Sequence, residues 1–295
     1  MFWAGSVAEC DTDPTRIGWD HPMIDAAAVL GWGVPGLRDL PWRRIRDPWQ
    51  ILVAEVMLQQ TQVARVVPKW DSFRERWPTA GDCAAAPLAD VLTLWQGLGY
   101  PRRARNLHRA AATVVERHDG ELPDDLDALL ELPGIGPYTA RAVLAFAFER
   151  DVGVVDTNIA RVLARVAGRR LTARQAQTLA DEAVPAGEGW MWNQVVMDLG
   201  ATLCRPTPMC HRCPLAPSCA WHVGNCADPD PAAGSAGVST RQAPYAGSAR
   251  QARGRILAAL ARGEHVAPTV DDPIVAGLLD DGLVEVDGGR LALPR

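Results

Sequence analysis

The chain is 295 residues long, 48% hydrophobic and 22% charged, which excludes disorder throughout and suggests about two domains. It carries 30 basic against 35 acidic side chains, a net charge of −5, so any nucleic-acid contact must rest on locally concentrated positive charge. No run of 18 apolar residues could span a bilayer. Residues 1–14 carry Glu9, Asp11 and Asp13 rather than the basic-then-apolar pattern of a secretory signal. A cytoplasmic location, nucleoid-associated in action and without a membrane partner, is expected.

In chain order, residues 1–20 read as an irregular arm. Residues 21–224 read as successive helices broken by Pro and Gly, with no run of strands, which predicts an all-α body. Within it, 49–67 shows a largely apolar stripe, and 88–97 and 102–117 have helical patterns. An Asp in Leu122-Pro123-Asp124-Asp125 can cap a further helix. Residues 225–248, rich in Ala, Gly, Ser, Pro and Asp, read as a linker. Residues 249–295 read as a small winged-helix-like module. It has helices over 250–262 and 274–281, then a hairpin turning at Asp287-Gly288-Gly289.

Five motifs carry candidate chemistry. Leu40-Pro41-Trp42-Arg43 precedes Ala54-Glu55-Val56-Met57-Leu58-Gln59-Gln60-Thr61-Gln62. Glu55 lies among apolar residues at helical spacing, where burial would raise its pKa and keep a proton for a leaving base. The run 59–62 is too polar for a core and suits hydrogen bonding to base edges. Trp95-Gln96-Gly97-Leu98-Gly99-Tyr100 precedes a segment with Arg102, Arg103, Arg105, Arg109 and Arg117 against Glu116. An aromatic and a Leu on such a turn can wedge into a base stack while the Arg residues grip phosphates; a solvated helix face has the same pattern. In Leu132-Pro133-Gly134-Ile135-Gly136-Pro137-Tyr138, Gly134 and Gly136 would let a phosphate approach the backbone and the next helix N-terminus. An ordinary helical corner also has this form. In Val154-Val155-Asp156-Thr157-Asn158, Asp156 can cap a helix and, at the mouth of a cleft, stabilise an oxocarbenium ion.

The fifth motif is cysteine. Of Cys10, Cys83, Cys204, Cys210, Cys213, Cys219 and Cys226, the spacing Cys204-x5-Cys210-x2-Cys213-x5-Cys219 marks a metal site. Four thiolates can hold zinc or a [4Fe–4S] cluster. Zinc sites usually show two close pairs, and the Pro-rich loop here suits a cluster wrap. Cys10, Cys83 and Cys226 are set aside as ligands.

Together these residues resemble the helix-hairpin-helix base-excision glycosylases. The four-cysteine loop points to the iron–sulfur branch of that superfamily. Glu-Val-Met-Leu-Gln-Gln-Thr-Gln-Val at 55–63, Gly-Leu-Gly-Tyr at 97–100 and Val-Val-Asp-Thr-Asn at 154–158 are similar to adenine DNA glycosylases of the MutY type. The resemblance spans about residues 25–222. It implies two helical subdomains flanking a DNA cleft, about 41–150 and 21–40 with 151–224. It also implies removal of adenine mispaired with 8-oxoguanine or guanine from double-stranded DNA. By that likeness Glu55 protonates the base and Asp156 steadies the sugar cation. Tyr138 and Asn158 complete the site. Trp42, Arg43 and Gln194 line the pocket for the flipped adenine. Gln60, Thr61, Leu98 and Tyr100 fill the gap beside the orphaned base. The resemblance further implies a [4Fe–4S] cluster on Cys204, Cys210, Cys213 and Cys219.

Tyr138 stands where bifunctional relatives similar to endonuclease III have a Lys. A phenol forms no Schiff base, so a monofunctional enzyme is expected. Thymine-mismatch relatives also have Tyr there, which leaves thymine or uracil mismatch removal as an alternative. A non-catalytic DNA-binding relative is the second alternative, and an iron–sulfur electron carrier a third. Two features depart from the family. Its first cysteine spacing is usually six, against five here, and it usually has a larger C-terminal Nudix-like domain. The module at 249–295 could instead touch DNA or dock other repair or replication proteins. A monomer is expected.

Overall fold

The computed structural model describes residues 24–238, 244–267 and 272–295; the arm at 1–20 and Cys10 lie outside the described residues. The elements are α1 (Ala26–Gly33), α2 (Pro48–Leu58), α3 (Val63–Arg76), α4 (Ala80–Ala85), α5 (Leu88–Leu94), α6 (Arg102–Arg117), α7 (Leu126–Leu130), α8 (Pro137–Phe146), α9 (Thr157–Ala167), α10 (Ala173–Ala183), α11 (Gly189–Thr202), α12 (Ala220–Val223), α13 (Ala249–Ala261) and α14 (Pro273–Asp280). Strands β1 (Glu285–Asp287) and β2 (Arg290–Ala292) pair antiparallel at the end. Among the described residues no helix is long and apolar enough to cross a membrane.

Side-chain caps start many of these helices. Asp25, Asp47, Asp125, Asp156, Ser248 and Asp272 each accept from a first-turn N–H. Thr79 with Asp82 and Thr172 with Gln175 form reciprocal capping boxes. The stripe over 49–67 is two helices, not one. The chain breaks at the polar run after Leu58, where Gln60 takes φ 54° and the Thr61 amide bonds the Leu58 carbonyl at 3.1 Å. Helix α2 is buried from Trp49 to Met57, because α3, α6 and α8 cover it on several sides. An amphipathic stripe therefore understates its burial, and its one carboxylate is enclosed.

The helices form two groups. Helices α2 to α8 pack around α2 and α6. Helices α1, α10, α11 and α12 pack on α9 or α11. The groups meet where α8 touches α11. Residues 230–237 run over the second group: Asp230 bonds Arg165, the Leu171 amide donates to Ser235 Oγ at 3.0 Å, and the Ala236 amide donates to the Leu171 carbonyl at 2.9 Å. The segment with a linker's composition is thus held to α9 for part of its length, by the carboxylate that Arg165 requires.

The C-terminal module buries Leu257, Val275, Leu278, Leu283, Val284 and Leu291, which join the hydrophobic core of the body. Gly288 and Gly289, at φ 55° and 78°, supply the left-handed pair that a two-residue hairpin turn needs. Helix α13 packs on α5, the Ala89 amide donates to the Pro294 carbonyl at 2.8 Å, and the Arg105 guanidinium donates to the Asp281 carbonyl.

Candidate active site and cysteine loop

Glu55 projects from the middle of α2 and is 4% exposed. Tyr138, in the first turn of α8, donates its hydroxyl to Glu55 Oε2 at 2.6 Å. Burial pushes the Glu55 carboxyl up to about 7; the Tyr138 hydrogen bond and the Arg43 charge oppose the rise, and the Asp156 charge adds to it. Such a carboxyl is close to half-protonated at neutral pH, so it can give a proton and take one back. The same environment, burial first and then the Glu55 and Asp156 charges, drives the Tyr138 phenol well above its ordinary range.

Asp156 caps α9. Its Oδ1 accepts from the Asn158 and Ile159 amides at 2.9 and 2.7 Å, and its Oδ2 accepts from Asn158 Nδ2 at 2.8 Å. Burial raises its pKa against the pull of these bonds and of Arg161. Capping fixes the carboxylate's position, so the structural role supports an electrostatic one.

Arg43 is buried and grips Asp198 through both terminal nitrogens, at 2.9 and 2.8 Å. Its Nε has no partner although it is buried. Arg38 adds Nε to Asp198 Oδ1 at 2.7 Å. Although burial opposes it, Arg43 and Arg38 hold the Asp198 carboxyl below its usual range. Trp42 is buried edge-on to Trp70, with ring centroids 6.0 Å apart. Gln194 is buried on α11, one turn before Asp198.

The runs 59–62 and 97–100 lie side by side. Thr61 Oγ1 donates to the Leu98 carbonyl at 3.1 Å. Both runs use left-handed backbone, at Gln60 (φ 54°) and Tyr100 (φ 48°). Gln60 is exposed and Tyr100 half-buried, but Leu98 is buried beneath the turn rather than displayed. Arg103 holds the pair together. Its Nη1 reaches the carbonyls of Val56, Met57 and Gln59, and its Nη2 reaches Thr61 Oγ1 and the carbonyls of Leu98 and Gly99. With Arg105 committed to Asp281, two of the five arginines on α6 are structural, and the exposed ones are Arg102, Arg109 and Arg117.

Helices α7 and α8 are the two arms of the hairpin around Leu132–Tyr138. Gly134 takes φ 78°, and a Cβ there would lie 2.6 Å from the Cβ of Asn106 on α6. Gly136 has φ −99°, and a Cβ there would meet nothing within 4 Å. Gly134→Ala is therefore expected to cost about 2 kcal/mol or more, from a left-handed alanine plus the clash. Gly136→Ala is expected to cost less than about 1 kcal/mol. Urea unfolding of both variants checks this, and equal losses would contradict it.

The cysteine loop leaves α11 at Leu203. Cys204, Cys210, Cys213 and Cys219 line one cavity with Arg165 and Trp221. Arg165, 2% exposed, donates Nη1 to Cys204 Sγ at 3.4 Å and to the Arg205 carbonyl at 2.7 Å. Its Nη2 bonds Asp230 at 2.6 Å, and Cys219 Sγ donates to its carbonyl at 3.3 Å. One turn earlier on α9, Arg161 donates Nε to the Cys204 carbonyl at 2.6 Å and Nη2 to Asn158 Oδ1 at 2.9 Å. Asn158 in turn holds Asp156. The cap carboxylate is thus joined to the cysteine loop through two side chains. A tetrahedral zinc ion with Zn–S bonds of about 2.3 Å sets its sulfurs about 3.8 Å apart. Among the described residues, no three of these four cysteines bring their sulfurs within 4.8 Å of one another. In this arrangement the four sulfurs are spread more widely than one zinc ion would hold them.

Residues 53–186 match the HhH-GPD superfamily of base excision DNA repair proteins. An adenine DNA glycosylase of Mycolicibacterium smegmatis is 42% identical over 289 residues, 92% of this chain and 96% of that protein. The chain belongs to the adenine DNA glycosylases. The family's helix-hairpin-helix fold is also that of a thermostable thymine-DNA glycosylase, at TM-score 0.65, 30% identity, 68% of this chain and 95% of that one. An endonuclease III trapped as a covalent intermediate with DNA follows, at TM-score 0.59, 27% identity, 67% of this chain and 94% of that one. The match to the mycobacterial family member covers nearly the whole of that protein, so the short C-terminal module falls within the extent of a family member.

Sequence reasoning missed Arg38 and Asp198, Arg161, Arg165 and Asp230, and it took Arg103 for a phosphate contact. For Arg161 and Arg165 a signal was present: two arginines four apart in the otherwise apolar run 159–167. Arg38, Asp198 and Asp230 are joined to partners tens of residues distant, which no local pattern encodes.

Proposed function

We propose that the chain hydrolyses the N-glycosidic bond of adenine mispaired with 8-oxoguanine or guanine in double-stranded DNA and leaves the backbone intact. The observation that carries the chemistry is the buried Glu55, hydrogen-bonded to Tyr138 beside the fixed Asp156 carboxylate. The family membership carries the base.

The adenine is extruded into the space between the helix groups, at a cost of a few kcal/mol. Glu55 gives its proton to N7 of adenine, and the bond from N9 to the sugar C1′ breaks, its electron pair leaving with the base. Asp156 stabilises the positive charge left on the sugar, from a position held by two amides and Asn158. Water adds to C1′, and the Glu55 carboxylate takes its proton, which restores the starting acid. Arg43, held by Asp198, lines the pocket for the base with Trp42 and Gln194. Tyr138 has no amine with which to attack the sugar, so no strand scission accompanies release. Gly134 and Gly136 bring the hairpin to the phosphates. Cys204, Cys210, Cys213 and Cys219 would hold a [4Fe–4S] cluster, which supplies iron–thiolate bonds that tie residues 204–219 into one shape.

The module contributes to partner choice. Its Arg250 donates to the Tyr100 hydroxyl at 3.1 Å. With Arg253 it closes a cleft of about 400 Å³ whose opposite wall includes Gln60, Tyr100 and Arg102. These are the residues set to meet the orphaned base and its phosphates.

Duplexes holding A opposite 8-oxoguanine, A opposite G, T opposite G and A opposite T test this. Strand breakage only after alkali, at adenine opposite 8-oxoguanine or G, is expected. Breakage at T opposite G would move the protein to thymine removal, and binding without release would make it non-catalytic. Arg250→Ala is expected to reduce the ratio of the 8-oxoguanine rate to the guanine rate about tenfold while sparing the guanine rate. An unchanged ratio removes the module from base recognition.

A further inference from the structure

Cys226 and His222 lie outside the four-cysteine spacing, yet the fold brings them to it. Helix α12 follows Cys219 directly, and the chain then turns back on itself. The Asn225 amide bonds the His222 carbonyl at 2.9 Å, and the Cys226 amide bonds the Trp221 carbonyl at 2.8 Å. Asn225 and Cys226 both adopt left-handed backbone, φ 57° and 52°, which is costly for two successive non-glycine residues. The result is that Cys226 Sγ lies 3.7 Å from His222 Nδ1. A ring nitrogen of His222 and the Cys226 Sγ share a 4.8 Å neighbourhood with Cys210 Sγ, and all three side chains are half-buried.

These separations suit a single ion. With Zn–S near 2.3 Å and Zn–N near 2.0–2.1 Å, the ligand atoms of a tetrahedral zinc stand roughly 3.5–3.8 Å apart. The four-cysteine set is wider, as shown above. Cys210 belongs to both sets and cannot serve both at once.

We propose that Cys210, His222 and Cys226 form a mononuclear site for a zinc-class divalent cation, which fills when Cys210 is not engaged by the four-cysteine set. Two thiols lose their protons to become ligands, His222 binds as neutral imidazole, and the fourth position stays open to water. The ion anchors α12 and the turn after it to the Cys210 turn, so the loop keeps one end fixed in the absence of a cluster. The site is independent of which base the enzyme removes.

The test uses the full-length chain. Protein stripped of iron under reducing conditions is titrated with Co²⁺, whose tetrahedral thiolate complexes absorb intensely in the visible. One Co²⁺ per chain is expected. His222→Ala and Cys226→Ala are each expected to weaken binding at least tenfold, and Cys213→Ala to leave it unchanged. In protein purified with its iron, His222→Ala and Cys226→Ala are expected to retain wild-type iron and sulfide content. Cys226→Ser repeats the measurement with an isosteric side chain should the alanine variant fold poorly, as read by far-ultraviolet dichroism. Cobalt binding that survives both alanine variants, or is lost in Cys213→Ala, places the ion on the four cysteines and overturns the proposal. Absence of a cobalt complex overturns it as well. So does loss of iron in Cys226→Ala, which would make Cys226 a cluster ligand.

Discussion

Glu55→Gln is expected to lower the single-turnover rate of adenine release by about 10³-fold while duplex binding stays intact. Gln keeps the shape and still accepts the Tyr138 hydroxyl, but has no proton of the required acidity. The wild-type rate should also follow the ionisation of this group. Burial raises the Glu55 carboxyl to about 7, so the competent acid is full below that pH and the rate falls as pH rises through it. The same shift has a thermodynamic sign. Folded Glu55 holds its proton more tightly than the unfolded chain, whose carboxyl titrates near 4.5, so stability is lost as pH rises from about 4.5 through about 7. Glu55→Gln removes that loss. The variant should melt higher than wild type at pH 8, with the difference closing towards pH 4.5. An inactive variant that is more stable at pH 8 separates lost chemistry from lost structure. A variant with unchanged turnover would take the acid role from Glu55.

Arg103→Met is expected to cost about 3 kcal/mol, a fall in melting temperature of roughly 6–12 °C for a chain of this size. Six acceptors from the end of α2, the run 59–61 and the turn 98–99 converge on its two terminal nitrogens. Several are buried and would be left without donors. Burial lowers the Arg103 pKa to about 10, a desolvation cost that a surface phosphate ligand would not bear. Arg103→Lys keeps a charge but loses the fork, and should recover less than half of the loss. Glycosylase activity should fall further than stability alone explains, because the runs carrying Gln60 and Tyr100 lose their common anchor. If Arg103→Met melts within a degree of wild type, Arg103 is a phosphate ligand after all.

The residues that could be read from the sequence are those whose roles are local. Asp156 announces itself as a cap by standing before a helical run, and the structure places it there with two amide bonds. Helix α6 follows its sequence boundaries, and the hairpin strands sit where Gly288 and Gly289 dictate. Burial of a carboxylate among apolar neighbours was legible for Glu55, but its contact with Tyr138 joins residues 83 apart. Long-range ion pairs were not legible. Asp198 lies in an unremarkable helical stretch, and only the fold shows that two arginines 155 and 160 residues earlier need it. Asp230 was hidden by composition: a segment of Ala, Gly, Ser and Pro reads as free chain, yet one carboxylate in it meets a buried guanidinium. Arg103 was misread for a similar reason, since an arginine-rich helix looks like a phosphate grip until its donors are traced inward.

The division of labour along α6 also sets how the protein responds to salt. Each phosphate neutralised by a side chain releases condensed counterions, and log affinity falls with log salt at a slope of about −0.9 per phosphate. Five arginines on one helix would promise a steep dependence. Arg103 and Arg105 are spent on carbonyls within the protein, and Arg102 already stands 3.6 Å from Asp281. Helix α6 can therefore neutralise at most three phosphates. The contribution of α6 to the slope is therefore expected to be no steeper than about −2.7, read from duplex affinity of wild type and the Arg102, Arg109 and Arg117 alanine variants against salt.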